Sequence, residues 1–283
     1  MKDSTKRGWS KFGWFCMSFV PMAGYMALMV LVTTAIYMLL MIFAFGRGET
    51  DIIGYLLKYT MHCGLAYALL GLVGFGLWYY FGCRQKKLSP PPGVLNVRNV
   101  GGILLTAFGA QFIISYLVMI FSMVIPSAVE EYSELMEMAG IDDVTLVMIL
   151  YAVIFGPIVE EVIFRGVTLY YARKFTKRFW LANIVQALAF GIMHMNLIQG
   201  IYAFLLGLLL GGIYQRFHSL YASICMHMIF NLFGSGVLIF IDEQIPDLLP
   251  VQILWNVVAV VAFVVGLVLL FRQKGVEDRR GSF

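Results

Sequence analysis

The chain has 283 residues, of which 61% are hydrophobic and only 13% are charged, and its mean hydropathy is +0.85. This composition leaves too little polar surface to cover a water-soluble globule of that size, so most of the chain is surrounded by lipid. The net charge of +4 comes from short basic segments between apolar runs. These segments are expected to meet anionic lipid headgroups and not nucleic acid.

Eight apolar runs follow one another along the chain, each near the length that crosses a bilayer as a helix. They fall near residues 15–45, 55–82, 101–126, 144–172, 179–196, 197–217, 220–241 and 250–271. The runs are rich in Leu, Met, Ala and Gly, and they lack the alternation that is typical of membrane β-strands. The sequence therefore predicts an all-α fold, a polytopic membrane helical bundle of about eight transmembrane helices that forms a single domain over residues 1–283.

The connections between these runs alternate in charge. Basic residues occur within 2–11, 84–98, 173–178, 216 and 272–280, whereas acidic residues occur within 49–51, 130–143 and 242–247. Because Lys and Arg are retained on the cytoplasmic side, both termini are expected to be cytoplasmic. We expect a cell membrane location, and the compact length without an organelle presequence favours a prokaryotic plasma membrane.

Two connections have a distinct composition. Residues 88–94 are rich in proline, which cannot continue a helix, so an extended cytoplasmic loop is expected there. The acidic segment 127–143 is expected to form a short exposed helix on the opposite face, where its charges are solvated.

Ionisable side chains inside a membrane span cost several kcal/mol and are therefore functional candidates. Three of the apolar runs carry such residues, accompanied in one run by an asparagine. They are Glu160, Glu161 and Arg165 in the fourth run, His194 in the fifth, and His227 with Asn231 in the seventh.

Helical spacing predicts different roles for the ionisable residues of the fourth run. Glu161 and Arg165 are four residues apart, so they share a helix face and are expected to form an ion pair. Glu160 lies about 100° round the helix from Glu161 and lacks a local counter-ion. Pro157 removes a backbone hydrogen bond one turn earlier, which predicts a kink that widens a cavity at this position.

The depths of the polar residues overlap when a rise of about 1.5 Å per residue is counted from the basic ends of the runs. We therefore expect Glu160, His194, His227 and Asn231 to line one cavity that opens to the cytoplasm. There Glu160 would take a proton from water that His194 shares or orients, and His227 and Asn231 would donate to an oxyanion. The set suits water-mediated amide hydrolysis without a Ser or Cys nucleophile.

Three motifs resemble, in order and spacing, those of the CPBP family, which includes type II CAAX prenyl proteases and bacteriocin-processing or self-immunity proteins. The motifs are Glu160-Glu161-x-x-x-Arg165, Phe190-x-x-x-His194 and His227-x-x-x-Asn231. The resemblance covers residues 144–241, which are interpreted as the catalytic core. It implies that Glu161 and Arg165 are structural support.

The same resemblance implies an eight-helix intramembrane endopeptidase, and we expect it to work without a cofactor. In such an enzyme Glu160 and His194 would activate water, while His227 and Asn231 would stabilise the oxyanion. The implied substrate is a membrane protein or peptide in the lipid bilayer, prenylated or not, and the residues do not decide between these substrates.

Other interpretations remain open at this point. Glu160, His194 and His227 are also the three ligands that a catalytic Zn²⁺ with an open fourth position would need, although the chain has no HExxH motif. His227 and Asn231 are also able to serve as hydrogen-bonding partners of neighbouring helices. A non-proteolytic membrane scaffold or immunity factor is the alternative from a different functional class.

Overall fold

The computed structural model describes residues 2–84, 94–141, 144–238, 241 and 244–272, with side chains from Ser10 onward. This part of the chain is helical and contains no strand, which confirms the predicted all-α polytopic bundle. Most of the proline-rich loop, the acidic residues at 142–143 and 242–243, and the basic tail beyond Arg272 lie outside the described residues.

Eleven helices follow one another along the described residues. In chain order they are α1 (Lys2–Met17), α2 (Val20–Gly46), α3 (Ile52–Leu57), α4 (Thr60–Trp78), α5 (Val97–Val124), α6 (Pro126–Ala139), α7 (Leu146–Phe175), α8 (Phe179–Met193), α9 (Leu197–Phe217), α10 (Leu220–Val237) and α11 (Leu249–Phe271). A π-helical turn, Tyr79–Cys83, extends α4, and the acidic helix expected within 127–143 is α6.

Seven helices of the described residues are long and apolar enough to cross a membrane, and the eighth predicted run differs. That run forms α8, whose 15 residues span about 22 Å, less than the hydrocarbon core of about 30 Å. The helix stops because Met195 adopts a positive φ of 52° and the Asn196 side chain caps the start of α9. The expectation of a full-length eighth span at 179–196 is therefore corrected to a short helix.

Three apolar clusters of buried side chains hold the described bundle together, and the two larger ones position the polar residues. The first joins α2, α4, α7 and α8 around Tyr25, Tyr67, Phe164 and Phe190. The second joins α5, α9, α10 and α11 and includes Leu210. Since α7 packs into the first cluster and α10 into the second, the polar residues of these two helices meet between the clusters.

Helix α7 is irregular around the proline that the sequence analysis singled out. Its segments Ile149–Phe155 and Val162–Thr168 are π-helical, and Gly156–Glu161 between them is α-helical. In a π-helix each carbonyl accepts from the N–H five residues later, as the Tyr151 carbonyl does from the Gly156 N–H. The next carbonyl, that of Ala152, would need the N–H of Pro157, which proline lacks. The irregularity expected at Pro157 thus takes a π-helical form and frees one carbonyl.

Candidate active site

A cavity of about 360 Å³ brings together side chains from three motifs that lie far apart in the sequence. Glu160, His194, His227 and Asn231 all line it. Glu160 reaches it from the short α-helical segment of α7, His194 from the end of α8, and the other two from adjacent turns of α10. The structure therefore places the four residues around one cavity, while their chemical roles stay predictions.

The Glu161 carboxylate lies at the centre of a buried network. Its Oε1 accepts from Arg165 Nη1 at 2.7 Å and from His227 Nδ1 at 3.0 Å. Arg165 Nη2 also donates to the Gly207 carbonyl at 3.3 Å, which Gln186 Nε2 contacts at 2.9 Å. The ion pair expected from the helical spacing is thus present, fully buried, and connected to α8, α9 and α10. Removing one partner would leave a buried charge uncompensated.

Glu160 faces the cavity from the other side of the same imidazole. Its Oε2 lies 3.6 Å from His227 Nε2, and its side chain is 17% exposed, whereas that of Glu161 is 0% exposed. Since Nδ1 of His227 is bonded to a carboxylate, that nitrogen carries a hydrogen and Nε2 points to Glu160. The gap is wider than a direct hydrogen bond, so neither atom is committed to the other in this structure.

The orientation of His194 is fixed by its own helix. Its Nδ1 lies 2.8 Å from the Phe190 carbonyl, an acceptor, so Nδ1 donates and Nε2 is left for a water or a substrate. The Phe190 ring packs edge-on against both imidazoles, with centroids 5.0 Å from His194 and 5.6 Å from His227. The Arg165 guanidinium lies 4.7 Å from the same ring. Phe190 therefore separates the two histidines and fixes their relative position.

Asn231 is tied to the irregular helix α7. Its Nδ2 donates to the Ala152 carbonyl at 2.8 Å, the carbonyl that Pro157 leaves without a backbone donor. An amide nitrogen carries two hydrogens, so one is engaged in this bond and the second is the one that an oxyanion would require. A hydrogen bond to the Ala152 carbonyl thus links Asn231 of the third motif to the helix that carries the first motif. The spacing of the motifs does not predict this bond.

Several tyrosines of the cavity were missed by the sequence analysis. Tyr25, Tyr67, Tyr151 and Tyr202 come from α2, α4, α7 and α9. The hydroxyls of Tyr67 and Tyr151 are hydrogen-bonded to each other. The only sequence signal is the presence of tyrosines inside apolar runs, and tyrosines also occur there as core or interface residues. The first two apolar runs, whose sequence shows only hydropathy, therefore contribute polar groups to this cavity.

The direction in which the cavity opens differs from the prediction. Its lining includes residues of the acidic α6, the start of α9 with the turn before it, and the far end of α10, namely Tyr132, Met136, Met195, Gln199 and Ser235. The basic connections instead surround a separate cavity. The predicted opening toward the basic face is therefore wrong. The physical reason is depth, because Glu160 and His194 lie beyond the middle of their spans when counted from the basic ends.

Glu160, His194 and His227, the zinc ligands of the alternative interpretation, line one cavity. No group of three His, Cys, Asp or Glu side chains among the described residues is placed to hold a metal ion. One nitrogen of each candidate histidine is engaged, with Glu161 in the case of His227 and with the Phe190 carbonyl in the case of His194, and Nε2 of each ring stays available. A metal-bound histidine uses its second nitrogen in the same way, so the zinc alternative stays a prediction.

Comparison with protein families identifies the part of the chain that carries the site. Residues 142–233 match the family described as type II CAAX prenyl endopeptidase, Rce1-like. The match covers about a third of the chain and supports the CAAX protease family for these residues, which we call the CAAX protease segment. A search of curated proteins and a search of solved structures found no match to the chain. The CAAX protease segment contains Glu160, His194, His227 and Asn231, whereas Tyr25 and Tyr67 lie outside it.

The match to the CAAX protease family supports an intramembrane endopeptidase in general terms. Together with the seven long apolar helices of the described residues, it supports a multi-pass membrane protein with a membrane-associated peptide substrate.

Proposed function

We propose that the protein is an intramembrane endopeptidase that uses a water molecule activated by Glu160 and His194, without a metal ion. The observation that carries the proposal is the Glu160 carboxylate, which lines the cavity 3.6 Å from His227 Nε2 within the CAAX protease segment. Glu161 is occupied by Arg165 and His227, so Glu160 is the carboxylate of this pair that is available to water.

The proposed reaction begins when a water that bridges Glu160 and His194 Nε2 gives a proton to Glu160. The water oxygen then bonds to the carbonyl carbon of the substrate, and the carbonyl oxygen becomes an oxyanion. His227 in its protonated form donates to that oxyanion from Nε2, since its Nδ1 hydrogen is held by Glu161. Asn231 donates with its second N–H. The proton on Glu160 then passes to the leaving nitrogen as the C–N bond breaks, giving an acid and an amine.

The role proposed for Glu161 and Arg165 is to keep the His227 imidazolium in place. A carboxylate that accepts from a histidine Nδ1 fixes the ring orientation and stabilises its positive charge. Arg165 compensates the charge of Glu161 in turn, so that the buried network is neutralised within α7.

The test compares Glu160→Gln with Glu49→Gln, a matched control on the exposed connection after α2. Peptides of membranes expressing each variant are compared by mass spectrometry with those of the wild type. We expect cleaved C-termini in membranes that express the wild type or the control, and we expect them to be absent with Glu160→Gln. The thermal unfolding temperature of Glu160→Gln should equal that of the wild type. Retention of those termini by folded Glu160→Gln would contradict the peptidase and favour the scaffold or immunity factor.

The metal-free part of the proposal has its own experiment. Purified protein is treated with a strong zinc chelator and assayed on a substrate found in the comparison above. We expect full activity after the chelator is removed by dialysis. Loss of activity that is restored by Zn²⁺ and not by Mg²⁺ would overturn the metal-free mechanism and favour Glu160, His194 and His227 as zinc ligands.

The substrate that we propose is a membrane-associated protein or peptide whose scissile bond enters from the face of α6. With both termini in the cytoplasm of a prokaryotic cell, as the basic connections favour, this face is the outer one. A pair of peptides of identical sequence, one of them prenylated, tests whether a lipid group is required. Cleavage of only the prenylated peptide would define a CAAX-type substrate.

The proposed orientation is tested by cysteine labelling in a variant without the four native cysteines, Cys16, Cys63, Cys83 and Cys225. Glu131→Cys places a thiol on exposed α6, and Arg178→Cys places one on an exposed basic connection. We expect a membrane-impermeant maleimide to label Glu131→Cys on intact cells and Arg178→Cys only after lysis. The reverse pattern would place the cavity mouth in the cytoplasm.

A further inference from the structure

The larger of the two cavities, about 760 Å³ in volume, lies on the basic face of the bundle and has no part in the proposed reaction. It is formed where α4 and α9 end, where α7 ends and where α10 begins. Three connections that the sequence analysis grouped by their positive charge thus meet at one place in the structure. We call this cavity the basic pocket.

The basic pocket is lined by cations without a carboxylate. The described lining residues include Arg84, Arg165, Arg173, Lys174 and Lys177, and none of them is Asp or Glu. The sequence strengthens this observation, because the connections 84–98, 173–178 and 216–219 contain no acidic residue at all. Arg165 is paired with the Glu161 carboxylate, which lies on its far side and does not line the pocket. The pocket therefore concentrates positive charge that a bound anion would neutralise.

Aromatic rings and an amide contact three of these cations, Arg84, Arg173 and Lys174. Lys174 Nζ lies 4.3 Å from the centroid of the Trp14 ring and 4.4 Å from that of Tyr170. Arg173 Nη1 donates to Gln215 Oε1 at 3.3 Å, and Arg84 lies 5.1 Å above the Tyr80 ring. Cation–π contacts orient a cation and leave its charge available to a ligand. The side chains are thus arranged before any ligand arrives.

The remaining lining residues point to a ligand with both a phosphate and an apolar part. Tyrosine hydroxyls of Tyr79, Tyr214 and Tyr221 add hydrogen-bond donors, and the start of α10 faces the pocket, where a helix favours anions. Leu169, Leu220 and Ile224 are apolar side chains of the lining, and we call them the apolar rim. The volume of the pocket exceeds that of a phosphate ion, and the pocket lies at the end of membrane-spanning helices.

We propose that the basic pocket binds the phosphate of an anionic phospholipid, with the headgroup between the cations and the acyl chains along the apolar rim. Phosphate oxygens suit arginine and lysine donors. Basic pockets between transmembrane helices are a recurrent arrangement for lipid headgroups.

The test uses the full chain in nanodiscs and a matched pair of double variants. Arg84→Gln with Lys177→Gln removes two exposed cations from the pocket, and Arg47→Gln with Lys58→Gln removes the same charges from exposed connections elsewhere. Nanodiscs contain phosphatidylcholine alone or with phosphatidylglycerol. Lipid that remains bound is counted by native mass spectrometry, and thermal unfolding is measured in parallel.

We expect wild type and the control to retain phosphatidylglycerol and to unfold at a higher temperature in its presence. The pocket variant, which lacks two cations, should lose about 100-fold in affinity for it, since each charge-assisted contact contributes about 1.4 kcal/mol, a factor of about ten. Equal retention by the pocket variant and the control would overturn the proposal. A further sample contains inorganic phosphate in phosphatidylcholine nanodiscs and separates a lipid headgroup from a free phosphate ion as the ligand. A higher unfolding temperature with inorganic phosphate, together with no retained phosphatidylglycerol, would contradict a lipid ligand.

Discussion

The candidate active site and the basic pocket differ in chemistry, and the Glu161–Arg165 ion pair connects them. Arg165 lines the basic pocket, while Glu161 bonds to His227, which lines the candidate active site. One cavity contains a carboxylate, two imidazoles and tyrosines, and the other contains cations without a carboxylate among its described lining residues. Helix α7 therefore presents the negative charge of Glu160 to one cavity and the positive charge of Arg165 to the other. A pair that looks like a simple support therefore also separates two chemical environments.

Breaking this pair should have the largest effect on the molecule. Arg165→Met removes the counter-ion of fully buried Glu161 and the contact with the Gly207 carbonyl. Loss of one partner of a buried pair costs about 3–5 kcal/mol. We expect a large drop in the thermal unfolding temperature of the purified protein, together with loss of bound phosphatidylglycerol and of peptidase activity.

The matched control for Arg165→Met is a double variant that combines Arg165→Met with Glu161→Gln. In it both charges of the buried pair are removed, so neither is left uncompensated. It should recover much of the stability while peptidase activity stays low, because His227 no longer has a carboxylate at Nδ1. If the double variant were as unstable as the single variant, charge compensation would not be the reason for the pair. The loss would then have to come from packing around α7 and α9.

The second prediction concerns the active-site cavity alone and separates two roles of Asn231. Asn231→Ala should lower kcat by about 10²-fold through loss of an oxyanion donor. It should also cost about 1–3 kcal/mol of stability, because the Ala152 carbonyl loses its donor. Both quantities are measured on the purified protein, by peptide cleavage and by thermal unfolding. Lipid retention in the basic pocket should not change.

Pro157→Ala provides the control for this prediction. The new N–H at position 157 can donate to the Ala152 carbonyl in the π-helical pattern, as Gly156 does to Tyr151. Combined with Asn231→Ala, it should restore stability and leave kcat low. Recovery of kcat in the combined variant would show that Asn231 acts only through the backbone of α7.

The same residues show how far the sequence alone determines the site. The fixed geometry of a helix predicts the Glu161–Arg165 pair from a spacing of four, and the cost of polar groups in lipid identifies the three motifs. The bond from Asn231 to Ala152 depends on a π-helical register that no residue pattern specifies. The positions of Tyr25 and Tyr67 depend on how α2 and α4 pack against α7, which is a tertiary property.

The fold, like the site, has features that the sequence predicts and features that it does not. Hydropathy predicts the long helices because each must bury its backbone hydrogen bonds within the bilayer. It does not predict that α8 ends at Met193, since the residues that end it form a turn with a positive φ at Met195 and a cap at Asn196. The opening of the cavity toward α6 follows from that turn and from the position of Tyr132, both of which lie outside the apolar pattern.

The smallest effect is expected at the mouth of the active-site cavity. The hydroxyls of Tyr132 on α6 and Tyr202 on α9 lie 3.3 Å apart, at the long end of hydrogen-bond geometry, and Tyr132 is only partly buried. Tyr132→Phe should therefore cost no more than about 0.5–1.5 kcal/mol, the usual net value of one hydrogen bond. Because α6 packs few apolar side chains against the bundle, this loss should appear locally, as faster backbone hydrogen exchange in Pro126–Ala139. Tyr221→Phe, a similar change in the basic pocket, should leave exchange in α6 at the wild-type rate. An unchanged exchange rate in Tyr132→Phe would mean that apolar contacts alone hold α6 over the active-site cavity. The Tyr132–Tyr202 hydrogen bond would then not help to close that cavity.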